Sequence, residues 1–152
     1  MQTYPTGYAQ SHRMAEHIFR DILPRRGMAV REEQIALCHE ILDTLYNKEI
    51  SLCEAGVGIG KTLAYLVACV LWQMNRPDRL KLPVVISTSS VVLQDAIIND
   101  YLPNLSAILL EEGIIQAPLT AVIRKGKERF VCDARLAERA SLVHPKDRKS
   151  VV

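Results

Sequence analysis

The sequence predicts an α/β domain: an incomplete parallel sheet with flanking helices. Short apolar runs rich in β-branched residues alternate along it with longer runs of helical periodicity, and a glycine-rich turn falls between one of each. The composition is that of a folded chain, 49% apolar and 24% charged over 152 residues. A chain of this length buries roughly 70% of the surface it would expose unfolded, enough for one domain.

Taken in order, Tyr8 to Leu23 reads as a helix with Ala15, Ile18, Phe19 and Ile22 on one side, ended by Pro24-Arg25-Arg26-Gly27. Arg31 to Tyr46 is a second helix, its stripe formed by Ile35, Cys38, Ile41, Leu42 and Leu45. Glu49 to Glu54, apolar at Ile50, Leu52 and Cys53, reads as a buried strand. Beyond the glycine turn, Gly60 to Met74 is a helix apolar nearly all round, as for one packed in the middle of a domain. Pro83 to Thr88 is expected as a second strand and Val91 to Tyr101 as a helix closed by Pro103. Leu105 to Leu110 adds a helical turn or two before Gly113. Leu119 to Ile123 is a third expected strand and Glu128 to Ala140 a final helix.

Several classes are disfavoured at once. Met1 to Gln10 lacks the basic-then-apolar layout of a signal peptide. The longest apolar run, Leu63 to Trp72, is too short to span a bilayer. The four cysteines are widely spaced without a CxxC pair, which points to a reduced, cytoplasmic chain using most of them in its core. The net charge of +2 does not argue for nucleic acid, but Thr120 to Val152 holds nine Lys/Arg against four Asp/Glu, leaving the preceding residues at −3. A basic segment of that kind follows a phosphate backbone or forms a solvated helix face.

The chemistry concentrates in Ala55-Gly56-Val57-Gly58-Ile59-Gly60-Lys61-Thr62, which fits the Walker A pattern with Ala in place of the first Gly. Glycines let the backbone curl so that successive amides converge on an anion, and the following helix aims its N-terminal amides at the same point. Lys61 is the candidate for the β- and γ-phosphates, and the Thr62 hydroxyl for Mg²⁺. The expected cofactors are therefore ATP and Mg²⁺, on a P-loop NTPase (RecA-like) sheet.

Four segments narrow the class. Arg31-Glu32-Glu33-Gln34 resembles the R-x-x-Q element of superfamily 2 helicases, which implies that Gln34 reads the adenine edge, donating and accepting at once. Glu54 to Leu66 looks like the first motif of the iron–sulfur helicases typified by DinG and XPD, with Val57 and Ile59 replacing two threonines of the usual EAGTGTGK. Ser87-Thr88-Ser89-Ser90-Val91-Val92-Leu93-Gln94 resembles motif Ia, which implies that Ser87, Thr88, Ser89 and Gln94 contact single-stranded DNA phosphates; a Ser/Thr helix cap is the alternative. Arg124 to Cys132 is similar to the family's KGRxNYxC, which implies that Cys132 is the first of four cluster ligands in the full-length protein. No cysteine follows Cys132, so a cluster cannot be completed within these residues.

The resemblance implies three parts: a helical lead-in at 1–30, a partial RecA-like ATP-binding domain at 31–124, and the start of an iron–sulfur-type insertion at 125–152. It implies the ATP-binding front of a helicase that translocates on single-stranded DNA. No D-E-x-H follows the glycine turn, and the pair Glu111-Glu112 follows no expected strand. The reading is a truncated piece, catalytically inactive alone and lacking its C-terminal motor domain, with apolar surface that favours aggregation. Another P-loop enzyme (a kinase or AAA-type ATPase) and a non-catalytic nucleotide- or DNA-binding module are the alternatives.

Overall fold

The computed structural model describes residues 7–76, 83–126 and 131–142, which fall into two units, Met1–Leu119 and Thr120–Val152. Lys127 to Phe130, inside one of the motifs quoted above, lie outside the described residues.

The first unit is helical. α1 (Tyr8–His17) passes through a π-helical turn (Ile18–Ile22) into α2 (Leu23–Arg25). α3 (Glu32–Asn47) and α4 (Lys61–Asn75) follow. α5 (Val91–Ala96) then runs through a second π-helical turn (Ile97–Tyr101) into α6 (Leu102–Glu111). α1, α3 and α4 pack on one another in every pairing. The apolar stripes read from periodicity meet there: Ala15, Ile18 and Ile22 against Cys38 and Leu42 of α3 and Val67, Ala68 and Leu71 of α4, each wholly buried. Burying a side chain of the Leu or Ile size contributes about 1.5–3 kcal/mol, so this three-helix contact anchors the unit. Leu105 and Leu109 add α6 to the same core. In the second unit, 120–126 is irregular and α7 (Asp133–Leu142) is exposed along residues 133–141.

The expected parallel sheet is absent: among the described residues there is no strand. The three segments read as strands, 49–54, 83–88 and 119–123, carry no regular structure and show several of their apolar residues to solvent, although Val84, Leu119 and Ile123 are half-buried. Ile50 is 96% exposed, Leu52 98%, Val85 84% and Val122 88%. The physical reason is that a strand bonds only to a neighbour. A helix satisfies its backbone within its own segment, whereas a parallel pair needs a laterally adjacent partner and a cover on both faces. The RecA-like fold expected from the sequence is therefore corrected to a helical assembly. Cys53, expected in a core strand, is exposed for the same reason, while Cys38 is buried and Cys69 partly so.

Pro103 does not close its helix. It sits at the start of α6 directly behind a π-helical turn, and helical backbone runs through it from Val91 to Glu111. Pro24 has the same placement behind Ile18–Ile22. Proline removes one N–H and pushes its ring at the preceding turn; a wider turn just upstream accommodates both effects without breaking the rod. Among the described residues, no helix is long and apolar enough to cross a membrane.

Candidate functional site

The glycine turn leads straight into α4. Gly58 and Gly60 have φ of 84° and 86°, the left-handed region that side chains resist. A Cβ on Gly60 would lie 2.1 Å from the Gln34 amide nitrogen, so a side chain there meets a left-handed backbone and also displaces the end of Gln34. The Gly60 carbonyl receives the first backbone bonds of α4, from Leu63 and Ala64 at 3.1 and 3.2 Å. The amides of Lys61 and Thr62 thus open the helix ahead of its own ladder, where the helix dipole favours an anion.

Three side chains converge on this loop. Lys61 Nζ donates to the carbonyls of Ala55 and Gly56 at 2.9 and 2.7 Å, folding its ammonium back over the turn. Arg31, at the start of α3, donates to the Gly58 carbonyl at 2.8 Å. Gln34, one turn further on and buried, donates through Nε2 to the Gly60 carbonyl at 2.8 Å. Arg31, Gln34 and the stretch Ala55 to Thr62 are therefore brought together, α3 against the loop and α4 behind it. The loop has a helix on one side and, in place of the expected strand, an irregular segment on the other. Val57 is fully exposed at its tip. Thr62 lies beside Tyr65, whose phenol is pushed up by burial and drawn down by a hydrogen bond with Thr62. Two cations and the opening of a helix thus meet at one loop, both cations held by its carbonyls.

The other motifs sit elsewhere. Thr88 Oγ1 accepts from Ser90 N at 3.1 Å, and Ser90 Oγ accepts from Leu93 N at 3.2 Å, so both hydroxyls shape the start of α5. Gln94 donates to the Thr88 carbonyl at 3.1 Å, while Ser87 and Ser89 are exposed. Glu111 and Glu112 are ion-paired to Arg26 and Arg25 at 2.5 and 2.9 Å, a helix-end clamp.

Comparison with known proteins supplies the family. The chain is 33% identical over 117 residues, 77% of its length, to the 3'-5' exonuclease DinG of Bacillus subtilis (strain 168). This chain is related to the DinG-like helicases. A second DinG-like match, the 3'-5' exonuclease DinG of Staphylococcus aureus (strain USA300), is 29% identical over 114 residues, 75% of this chain. The probable ATP-dependent helicase YpvA of Bacillus subtilis is 35% identical over 63 residues, 41% of this chain. The chain spans 11% of the first DinG protein, 12% of the second and 10% of YpvA. No protein-family model matches, and no solved structure gives a significant match.

DinG-like relatedness does not complete a cluster here. Cys132 is exposed at the start of α7, where its carbonyl accepts from Leu136 N at 2.9 Å. Cys38 and Cys69 are held in α3 and α4 with thiols pushed well up by burial, Cys69 to about 11. An iron–sulfur cluster takes four thiolates. Among the described residues, no group of three or more His, Cys, Asp or Glu is placed to hold a metal ion. The residues present do not fit the cluster. Sequence reasoning also missed a polar array joining His12 and His39; residues that far apart carry no shared motif or period to find them by.

Proposed function

We propose that this DinG-like chain binds ATP·Mg²⁺ at the loop Ala55 to Thr62 and forms the ATP-binding part of a helicase motor moving along single-stranded DNA. The observation that carries the reading is the convergence of Lys61 and Arg31 on a loop with left-handed Gly58 and Gly60 at the mouth of α4. In this reading ATP displaces the carbonyl contacts of Lys61, whose ammonium turns to the β- and γ-phosphates, and the Thr62 hydroxyl ligates Mg²⁺. Gln34 serves the base. Ser87, Thr88, Ser89 and Gln94 meet single-stranded DNA through its backbone, which carries no sequence information.

Hydrolysis needs a carboxylate for the metal and another group to orient the attacking water. In these residues the acidic pair Glu111-Glu112 is engaged by Arg26 and Arg25, neither of which belongs to the loop motif. The chain alone therefore binds nucleotide without appreciable turnover or unwinding, and acts together with a second motor domain. Two relatives carry exonuclease in their names and one carries helicase; the glycine loop favours the nucleotide-driven motor, since nuclease chemistry has no use for it.

The test is isothermal titration of the 152-residue chain with ATP·Mg²⁺ beside Lys61→Ala. Losing one charge-assisted contact of about 1.5–3 kcal/mol weakens binding by about tenfold or more. Equal binding by both proteins overturns the assignment, and measurable unwinding by the chain alone overturns its dependence on a second domain.

A further inference from the structure

We propose that His12 and His39 share a single proton between α1 and α3, making a pH-sensitive clamp that holds these two helices together. The two rings are parallel and meet edge to edge, planes within 3° and centroids 4.7 Å apart, with their Nδ1 atoms 2.6 Å from one another. Their side chains are mostly enclosed, 19% and 24% exposed. The far nitrogen of each ring meets a carboxylate of the opposite helix. His12 Nε2 lies 3.1 Å from Asp43 Oδ1, near enough for ion pairing though short of a well-aligned hydrogen bond. His39 Nε2 lies 2.7 Å from Glu16 Oε1.

The proton inventory follows from these contacts. A carboxylate only accepts, so both Nε2 atoms carry hydrogen. Two Nδ1 atoms at 2.6 Å need one hydrogen between them: with none, two lone pairs collide, and with two, the N–H groups collide. Four ring nitrogens therefore hold three protons, and the pair carries one positive charge between Asp43 and Glu16. Neighbouring groups support that count. Asp43 also accepts from Tyr8 at 2.5 Å, and Glu16 pairs with Arg20, which extends to Glu32 at 2.7 Å. α4, the third helix packed on α1, has Lys61 as its one charged residue, committed to the glycine loop, and its Tyr65 and Cys69 are kept neutral by burial.

The pH dependence has a definite sign on each side. Burial first, and the second ring with it, lowers the affinity of His12 for a further proton, against the pull of Asp43. A histidine depressed in the folded state loses stability as pH falls through its unfolded value, near 6.5. Glu16 is depressed by its bonds to Arg20 and His39, and its contribution is lost only lower, as pH falls below 4.5. On the alkaline side, removing the shared proton leaves either facing lone pairs or a ring lone pair against Glu16.

Nitrogen-15 spectra of the histidine side chains across pH, on the full 152-residue chain, test this. The expected result is two protonation steps belonging to the pair and separated by more than about one pH unit, with three ring N–H signals between them. Thermal unfolding should peak between the steps. His39→Gln should replace them with one step and shrink the limb below 6.5, leaving the part that burial of His12 causes by itself. Independent single-step titration of both rings in the unsubstituted chain overturns the proposal, whether or not the variant folds, and so does a chain with no slowly exchanging ring N–H at any pH.

Discussion

Two residues show how narrowly local chemistry constrains this molecule. Gly60 combines a left-handed backbone with a buried Gln34 amide where its Cβ would lie. Gly60→Ala should destabilise the chain by more than the ~1–2 kcal/mol of the backbone alone, and adding Gln34→Ala should return the excess. A double-mutant cycle by urea unfolding measures this; strictly additive effects would remove the clash from the explanation. Ser11 is the second case. Its wholly buried hydroxyl lies 2.8 Å from the Tyr46 hydroxyl, accepts from Asn75 at 3.0 Å and donates to the Leu71 carbonyl at 3.2 Å. One hydroxyl thus joins α1, α3 and α4 with its bonding capacity filled. Ser11→Ala strands its partners, and we expect a loss of about 1–3 kcal/mol in the same assay; a neutral outcome would mean that Tyr46 and Asn75 re-pair.

Among elements, helix ends and proline positions carry the information. α3 ends at Lys48 with φ of 58°, the one non-glycine with positive φ among the described residues. The Glu49 amide reaches back to the Thr44 carbonyl at 3.1 Å, as in the usual left-handed helix end, where glycine is the preferred residue. Lys48→Gly should therefore stabilise the chain by about 1 kcal/mol, read as a raised urea midpoint at unchanged slope. Helix existence was legible from spacing, and α3 and α4 begin and end within a residue or so of their predicted bounds. The two π-helical turns were not, because proline reads as a stop until a wider turn lets the helix pass it.

For the whole molecule, the exposed apolar side chains are the dominant feature. Ile50, Leu52, Val85 and Val122 all lie on segments whose composition suits a buried strand. Surface of this kind drives association in water. We expect light scattering from the purified chain to rise with concentration, and the variant Ile50→Lys with Leu52→Lys to scatter less without a change in helix content. Equal scattering would place the sticky surface elsewhere. The same segments mark where sequence reading failed: periodicity reports that a run would suit burial between layers, and no more than that.

Sequence alone determined the helices, the residues of the core stripes, the glycine loop and the DinG-like relationship, because helix periodicity and a contiguous loop motif are local in the chain. Tertiary structure decided the rest. Whether an extended run becomes a strand depends on a neighbour that its own residues do not specify. Whether Arg31 and Gln34 reach the Gly58 and Gly60 carbonyls, or two histidines face each other across helices, depends on how rods dock. Docking is set by complementary surfaces distant in sequence, and that information becomes readable only once the chain has folded.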